Sequence, residues 1–342
     1  MLRPAANPPS LHRPDTVEWD VPPDLARPQV FEDDSASILS RNDSPDLPHR
    51  WSVNPYRGCM HACAYCYARP SHEYLGFGAG TDFDTKIVVK RDAATLLEAA
   101  FERPDWQGEH VLFSGNTDPY QPLEHRWELT RACLEVCLRF RNPVVVITKS
   151  PLVTRDADLL GALAREARAH VILSIPFHDP ALARAIEPGA ASPERRFRAI
   201  RALTEAGVHV AVNVAPILPG LNDHEIPAIL RAAREAGARR ANRILVRLPG
   251  PVATVFEERV RDALPTRADA VLARIRRARG GDLHTAAFGA RMRGSGPEWE
   301  ATEALFTTWA RKLGFETGEH AEPPTTTFRR PNGVRGQQRL FG

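Results

Sequence analysis

The sequence predicts an α/β protein, a partial (β/α)6 TIM-like barrel with irregular N- and C-terminal extensions. Three observations carry this. Between Trp51 and Pro249, short Val/Ile/Leu-rich segments alternate about six times with longer segments of helical period, the pattern of a parallel sheet wrapped by helices. The strand segments are near-continuous apolar runs, as expected of strands covered on both faces. Cys59, Ser114, Asp118, Lys149, Ser174 and the stretch Asn213 to Pro216 all lie at or just past the ends of strand segments. Periodicity alone does not separate a barrel from a doubly wound sheet. In a barrel, however, those strand ends share the face where active sites are built.

The elements follow in order. Residues 1–48 are rich in Pro, Asp and Ser without a sustained period and predict an irregular extension. The barrel region, 49–250, opens with "WSVNPY" as a short strand that runs into a cysteine loop. "TKIVVK" (85–90) predicts a strand followed by a helix from Asp92 to Phe101, and "HVLFSG" (110–115) a strand followed by a helix near Leu123 to Phe140. "PVVVITKS" (143–150) precedes a helix at Asp156–Ala169, and "HVILSIP" (170–176) is the next strand. Ser192, Pro193 and Glu194 announce a helix with an N-cap, a proline in its first turn and an acidic start. "VHVAVNVAP" (208–216), a helix over Ile226–Ala236 and "RILVRLP" (243–249) complete the alternation. Residues 251–318 predict a helical extension, with helices near 252–264, 266–279 and 298–312, and 319–342 a flexible basic tail.

Composition excludes several classes. A hydrophobic fraction of 43% supports a real core, and a formal charge of +3 over 342 residues is close to balance. Basicity is almost all arginine, with only four lysines, Lys86, Lys90, Lys149 and Lys312. A coding bias toward arginine explains that better than RNA binding does. No apolar run approaches the roughly 20 residues of a membrane span, and "MLRPAANPPSLHRPD" has no apolar signal core. Five cysteines, three of them clustered, do not form a disulfide framework. A cytoplasmic, reducing location is the expectation, with no membrane partner.

The cluster is the most informative feature. Cys59, Cys63 and Cys66 stand C-x3-C-x2-C in a loop with Gly58, Tyr65 and Tyr67. Three thiolates suit a soft metal centre, and a [4Fe–4S] cluster so held would leave one iron open to a small molecule. Zinc is the rival, with His72 as fourth ligand and His61 as the other nearby histidine. Cys133 and Cys137 fall four apart in an apolar helix and read as core.

With its aromatic residue before the last cysteine, this spacing resembles the radical S-adenosylmethionine (SAM) superfamily, over about Asn54 to Pro249. Within it, "FSGNTDPYQPLEH" (113–125), "TKS" (148–150), "SIPFHDPALARAIEPGAASPERR" (174–196) and "NVAPILPGLND" (213–223) resemble the DNA repair photolyase-like branch related to spore photoproduct lyase. The resemblance implies Cys59, Cys63 and Cys66 as ligands of a [4Fe–4S] cluster, and S-adenosyl-L-methionine chelated at the open iron. It implies reductive cleavage to a 5′-deoxyadenosyl radical that abstracts hydrogen, an external electron donor of flavodoxin or ferredoxin type, and DNA repair or nucleic-acid modification by lyase-type chemistry. By the same likeness Ser114, Thr117 and Asp118 border the cofactor and Lys149 neutralises its carboxylate. Ser174 lies near its ribose or carboxylate, and Ala215 near its adenosine. One departure stands out. Where spore photoproduct lyases carry a hydrogen-returning cysteine, this chain has Gly115.

Bland roles compete for the single residues. Asp118-Pro119 can be a turn, Lys149 a solvated charge, and Glu187 with Arg195 an ion pair at a helix start. Two other functions stay open: a zinc-stabilised nucleic-acid-binding module without catalysis, and a radical SAM enzyme acting on a protein or metabolite. The tail ends "QQRLF", and Gln337, Leu340 and Phe341 resemble the short peptide by which bacterial repair proteins dock on the sliding clamp. The same apolar pair could instead seat on the barrel itself.

Overall fold

The computed structural model describes residues 3–5, 28–316 and 326–331. Its central sheet runs β11-β10-β9-β8-β7-β4-β3. The strands are β3 (Leu39–Arg41), β4 (Trp51–Val53), β7 (Val111–Phe113), β8 (Val144–Thr148), β9 (Ala169–Ser174), β10 (His209–Ile217) and β11 (Arg240–Leu245). From β4 to β11 all five neighbouring pairs are parallel, so six strands form the predicted partial (β/α)6 barrel. β3 adds an antiparallel edge to β4. Helices follow the strands at Ala93–Glu102, Leu129–Arg139, Ala157–Glu166, Pro193–Glu205 and Ile226–Glu235, then Pro251–Ala263, Ala268–Ala278 and Pro297–Lys312. None of the described helices is long and apolar enough to cross a membrane.

Three expectations change. The 85–90 segment is a strand, β6 (Lys86–Val89), but it leaves the barrel. It joins β1 (Arg3–Ala5), β2 (Gln29–Glu32) and β5 (Tyr56–Arg57) in a second sheet, because β2 pairs parallel and β5 antiparallel to it. Residues 1–48 are thus not simply irregular, since β2 and β3 extend both sheets. The helix expected near Leu123 to Phe140 breaks at Glu128, whose φ is 50°. There the Glu124 carboxylate accepts from Thr130 N (3.0 Å) and Arg131 N (3.2 Å), capping the second half.

The tail also departs from expectation. Residues 326–331 strap the N-terminal end of the barrel: Phe328 stacks on Phe140, and Thr327 Oγ1 donates to Arg141 O at 2.9 Å. The sliding-clamp residues Gln337, Leu340 and Phe341 lie outside the described residues. Cys133 and Cys137 are fully buried in the core.

The barrel strands alternate in what they cover. Val53, Val111, Phe113, Val144, Val146, Val171, Leu173 and Val212 join the helices in one apolar core. Their neighbours Ser52, Leu112, Val145, Ile147, Ile172, Ala211 and Asn213 stand outside that core. Period-two side chains put these on the opposite, inner face. That inner wall is mostly aliphatic, as double coverage predicts, with Ser52 and Asn213 as its polar positions in this set.

At the barrel's N-terminal end His49 Nδ1 meets His110 Nε2 at 2.8 Å. Burial, with His110 beside it, pulls His49 from 6.5 to about 4. The folded state therefore favours the neutral ring, and its contribution to stability is present above pH 6.5 and lost as pH falls toward 4. A thermal melt series should show Tm declining through that window, with a shallower slope in His49→Gln; equal slopes would refute the assignment.

Candidate metal centre and barrel mouth

The cysteine loop follows β4 and β5, and its backbone is gripped at almost every residue. Cys59 N donates to Phe83 O at 2.9 Å. Gly58 O accepts from Thr117 Oγ1 (2.5 Å) and Gln121 Nε2 (3.1 Å), while Gln121 Oε1 takes Met60 N (3.2 Å). His61 O accepts from Gly189 N (3.0 Å), and Ala64 N donates to Ile186 O (2.9 Å). Ala62 O accepts from Arg259 Nη1 (2.8 Å), and Cys63 O from Arg69 Nη2 (2.8 Å).

Arg69 is fully buried and also donates to Ala79 O (3.0 Å), Gly80 O (2.8 Å) and Asp84 Oδ1 (2.8 Å). Arg259, from the helix Pro251–Ala263, reaches the other Asp84 oxygen. A buried ion pair is tolerated when its remaining donors are also satisfied, and here the loop carbonyls satisfy them. Gly189 is needed for proximity: a Cβ there would run into Met60 O and come within 3.0 Å of His61 Cα.

The polar residues expected at the strand ends divide in two groups. Asp118 is the hub of the first. Its Oδ1 accepts from Thr148 Oγ1 (2.6 Å) and Tyr120 N (2.9 Å), its Oδ2 from Lys149 N (2.7 Å), and His61 Nδ1 lies 3.3 Å away. Burial would raise this carboxyl, but His61, Thr148 and the Lys149 amide outweigh it and hold it at about 2. Thr117 and Asp118 therefore brace the cysteine loop and the start of the Lys149 turn. Lys149 sends Nζ over the Tyr65 ring, 5.6 Å from its centroid. Burial would lower its pKa, but Cys63 and Glu187 raise it, so it stays a cation beside the cysteines.

Glu187 is the second hub, bonded by Tyr65 Oη and by Arg196 Nη2 at 2.5 Å. The partner is Arg196, fully buried, and not Arg195, which the sequence singled out. Arg196 Nη1 also donates to Ser174 O at 3.0 Å, joining the cysteine loop to the end of β9. Ser114 opens the turn after β7, where Gly115 takes φ 114°, a backbone that glycine accommodates. Ala215 shares the inner register of β10 with Asn213.

Sequence pattern gives Asn213 no role, yet among the described residues its Oδ1 is buried without a partner and the residue is 8% exposed. Gln121 and Gly189 lie inside the stretches 113–125 and 174–196, while Arg69, Asp84 and Arg259 lie in none of the quoted stretches; only folding brings all five to the loop.

The donor set decides which metal group fits. Burial raises all three thiols: Cys59 well up with Asp118 adding, Cys63 to about 12 with Glu187 adding, and Cys66 upward against the pull of Arg69. Thiolates there require a compensating cationic centre. Among the described residues no three His, Cys, Asp or Glu side chains converge as ligands of one ion. A single zinc needs such convergence, with Zn–S of about 2.3 Å. His72 Nε2 lies against Lys86 O at 2.8 Å and its ring is edge-on to Phe83, while its Nδ1 is buried without a partner among the described residues. A four-iron cube takes each sulfur at a different iron and needs no such single point of convergence.

The sequence model of the radical SAM superfamily matches residues 53–233. The chain belongs to the radical SAM superfamily. It is 42% identical over 194 residues to the uncharacterized protein Rv2578c of Mycobacterium tuberculosis, covering 56% of this chain and 57% of the relative. It is 23% identical over 175 residues to the radical SAM Nalpha-GlyT isomerase of Pseudomonas phage M6, covering 51% of this chain and 34% of that protein. The chain thus spans little more than half the length of the first of these relatives. Among solved structures, spore photoproduct lyase complexed with dinucleoside spore photoproduct superposes with a TM-score of 0.56 at 18% identity, over 84% of this chain and 80% of that one. At that identity the likeness is one of fold, and it agrees with the partial barrel. A [4Fe–4S] cluster and SAM are the superfamily's cofactors.

Gly189→Ala should therefore displace the cysteine loop. Anaerobic reconstitution should give a folded protein with most of its iron lost, measured by iron assay and circular dichroism; full iron content would show that the loop yields freely.

Proposed function

We propose that the chain is a radical SAM enzyme whose Cys59, Cys63 and Cys66 hold a [4Fe–4S] cluster with one iron open for SAM. The observation that carries this reading is the cysteine triad, Cys59 and Cys63 buried and Cys66 half-buried, on a clamped loop at the C-terminal end of six parallel strands. When bound, the cluster supplies, from an external flavodoxin- or ferredoxin-type donor, the electron that cleaves SAM to the radical that abstracts hydrogen.

The chain's own residues bind and orient. Lys149 offers a cation beside Cys63 for the carboxylate of SAM. Asp118 does not contact the cofactor in this reading but fixes the Lys149 backbone. Ser174 and Ala215 border the cofactor from β9 and β10, and Ser114 from the turn after β7. The orphaned Asn213 Oδ1 takes a hydroxyl or N–H donor of a ligand on the inner wall. Tyr65 and Ala64, both buried, keep water from the loop.

Nucleic acid is the substrate class carried over to this reading. The solved neighbour holds a dinucleoside photoproduct. With Gly115 in place of the hydrogen-returning cysteine, the reaction is a modification or repair by a different hydrogen route.

Cys63→Ala should lose the brown colour and the iron after anaerobic reconstitution. Lys149→Ala should retain both while SAM binding weakens roughly tenfold, a change of about 1.4 kcal/mol. Isothermal titration with SAM and detection of 5′-deoxyadenosine check the pair, and undiminished SAM affinity in Lys149→Ala would remove that lysine from the site.

A further inference from the structure

The end of β11 and the irregular stretch 281–296 bring basic groups together beside the cysteine loop. Arg247 lies with its guanidinium carbon 5.7 Å from the centroid of Tyr67, the residue after Cys66. Its one hydrogen bond among the described residues is a weak one, Nη1 to Met292 Sδ at 3.4 Å, and its Nε is buried without a partner. Arg279, 7% exposed, spends its terminal nitrogens on backbone carbonyls, among them Val246 O at 2.6 Å and Arg291 O at 2.9 Å. It ties the 290–293 stretch to the end of β11, and its Nε too is buried without a partner. His284 Nδ1 is a third orphan in the same region.

These groups repel one another. Burial and Arg291 lower Arg247; burial and Arg247 lower Arg279 to about 10; burial and then all three arginines lower His284. The carboxylate facing them is that of Asp46, which is already engaged by Arg291 Nε and, at 2.6 Å, by Gly289 N. Crowding Arg247 and Arg291 about one occupied carboxylate, with Arg279 and His284 beside them and N–H groups unpaired, is costly unless an anion completes the set.

The surroundings say which anion. Four large apolar side chains are exposed among the described residues: Leu47 (39%), Tyr67 (49%), Tyr74 (89%) and Phe288 (62%). Three border this cluster: Tyr67 under Arg247, Phe288 with Arg291 at 4.5 Å from its centroid, and Leu47 next to Asp46. A free small anion has no use for open aromatic faces. A nucleic-acid strand uses both, phosphate on guanidinium and base on ring.

We propose that Arg247, Arg291 and His284, with Tyr67 and Phe288, form a site for a backbone phosphate and flanking base of a single nucleic-acid strand at the barrel mouth. This rests on the enzymatic reading for its purpose, delivery of a nucleotide to the cysteine loop, but the binding itself does not require the cluster.

The test is anisotropy of a short labelled single-stranded oligodeoxynucleotide on reconstituted protein across a salt series, with iron content read in parallel. Arg247→Gln should bind about tenfold more weakly, and its slope of log K against log salt should fall by about one. Phe288→Ala should lose about five- to a hundredfold in affinity with the slope unchanged. Arg198→Gln, an exposed arginine on the helix Pro193–Glu205, makes the same charge change and should alter neither. Equal binding by the Arg247 and Arg198 variants would overturn the proposal, as would a mononucleotide competing as well as the oligonucleotide, or binding of an acidic flavodoxin with none of the strand. Iron retained without oligonucleotide binding refutes this site and leaves the cluster reading standing; Arg247-dependent binding without iron does the reverse.

Discussion

The buried Arg69–Asp84–Arg259 constellation is the constraint on which the metal-binding loop depends. Two guanidiniums share one carboxylate and spend their other donors on the carbonyls of Ala62, Cys63, Ala79 and Gly80. The Arg69 charge is worth burying because each of its nitrogens finds an oxygen, Arg259 being a quarter exposed, and the loop holds its shape because its carbonyls are taken. Arg259 comes from the helix after the barrel, so the C-terminal helices are part of the site's support.

A second consequence of the same architecture is separation of labour at the mouth. Asp118 and Glu187 both lie close to the cysteines and both work against thiolate formation. Each is matched by a positive or hydrogen-bonding partner: His61, Thr148 and the Lys149 amide for Asp118, Tyr65 and Arg196 for Glu187. The net effect is a loop whose thiols stay neutral until a cationic centre compensates them. Lys149, kept charged by the same carboxylates, is the cation over the Tyr65 ring beside the cysteines.

The inner wall completes the arrangement. Its strand residues are aliphatic apart from Ser52 and Asn213 and stand apart from the main core, and Asn213 leaves an acceptor unpaired there among the described residues. The rim continues that polarity outward through Arg247, Tyr67 and the 281–296 stretch. A ligand running from rim to inner wall would meet guanidinium and aromatic faces first, then the cysteine loop, then Asn213.

Local pattern was enough to show the (β/α)6 alternation, the cysteine motif and the position of the Pro193 helix, because apolar period and cysteine spacing survive in a linear reading. It misassigned the strand at 85–90, since strand-forming residues do not say which sheet they join; that was decided by pairing with β2 and β5. It named Thr117 and Asp118 as cofactor neighbours; what it did not show is that they also brace Gly58 and Lys149 in the folded chain. It chose Arg195 over Arg196, where helix phase determines which of two adjacent arginines turns inward to Glu187. What the amino-acid order determined by itself is therefore the chemistry of the donors and the period of the elements. That Arg259 answers Asp84, and how close Gly189 comes to the cysteine loop, only tertiary structure decided, because those contacts join residues more than a hundred positions apart through space.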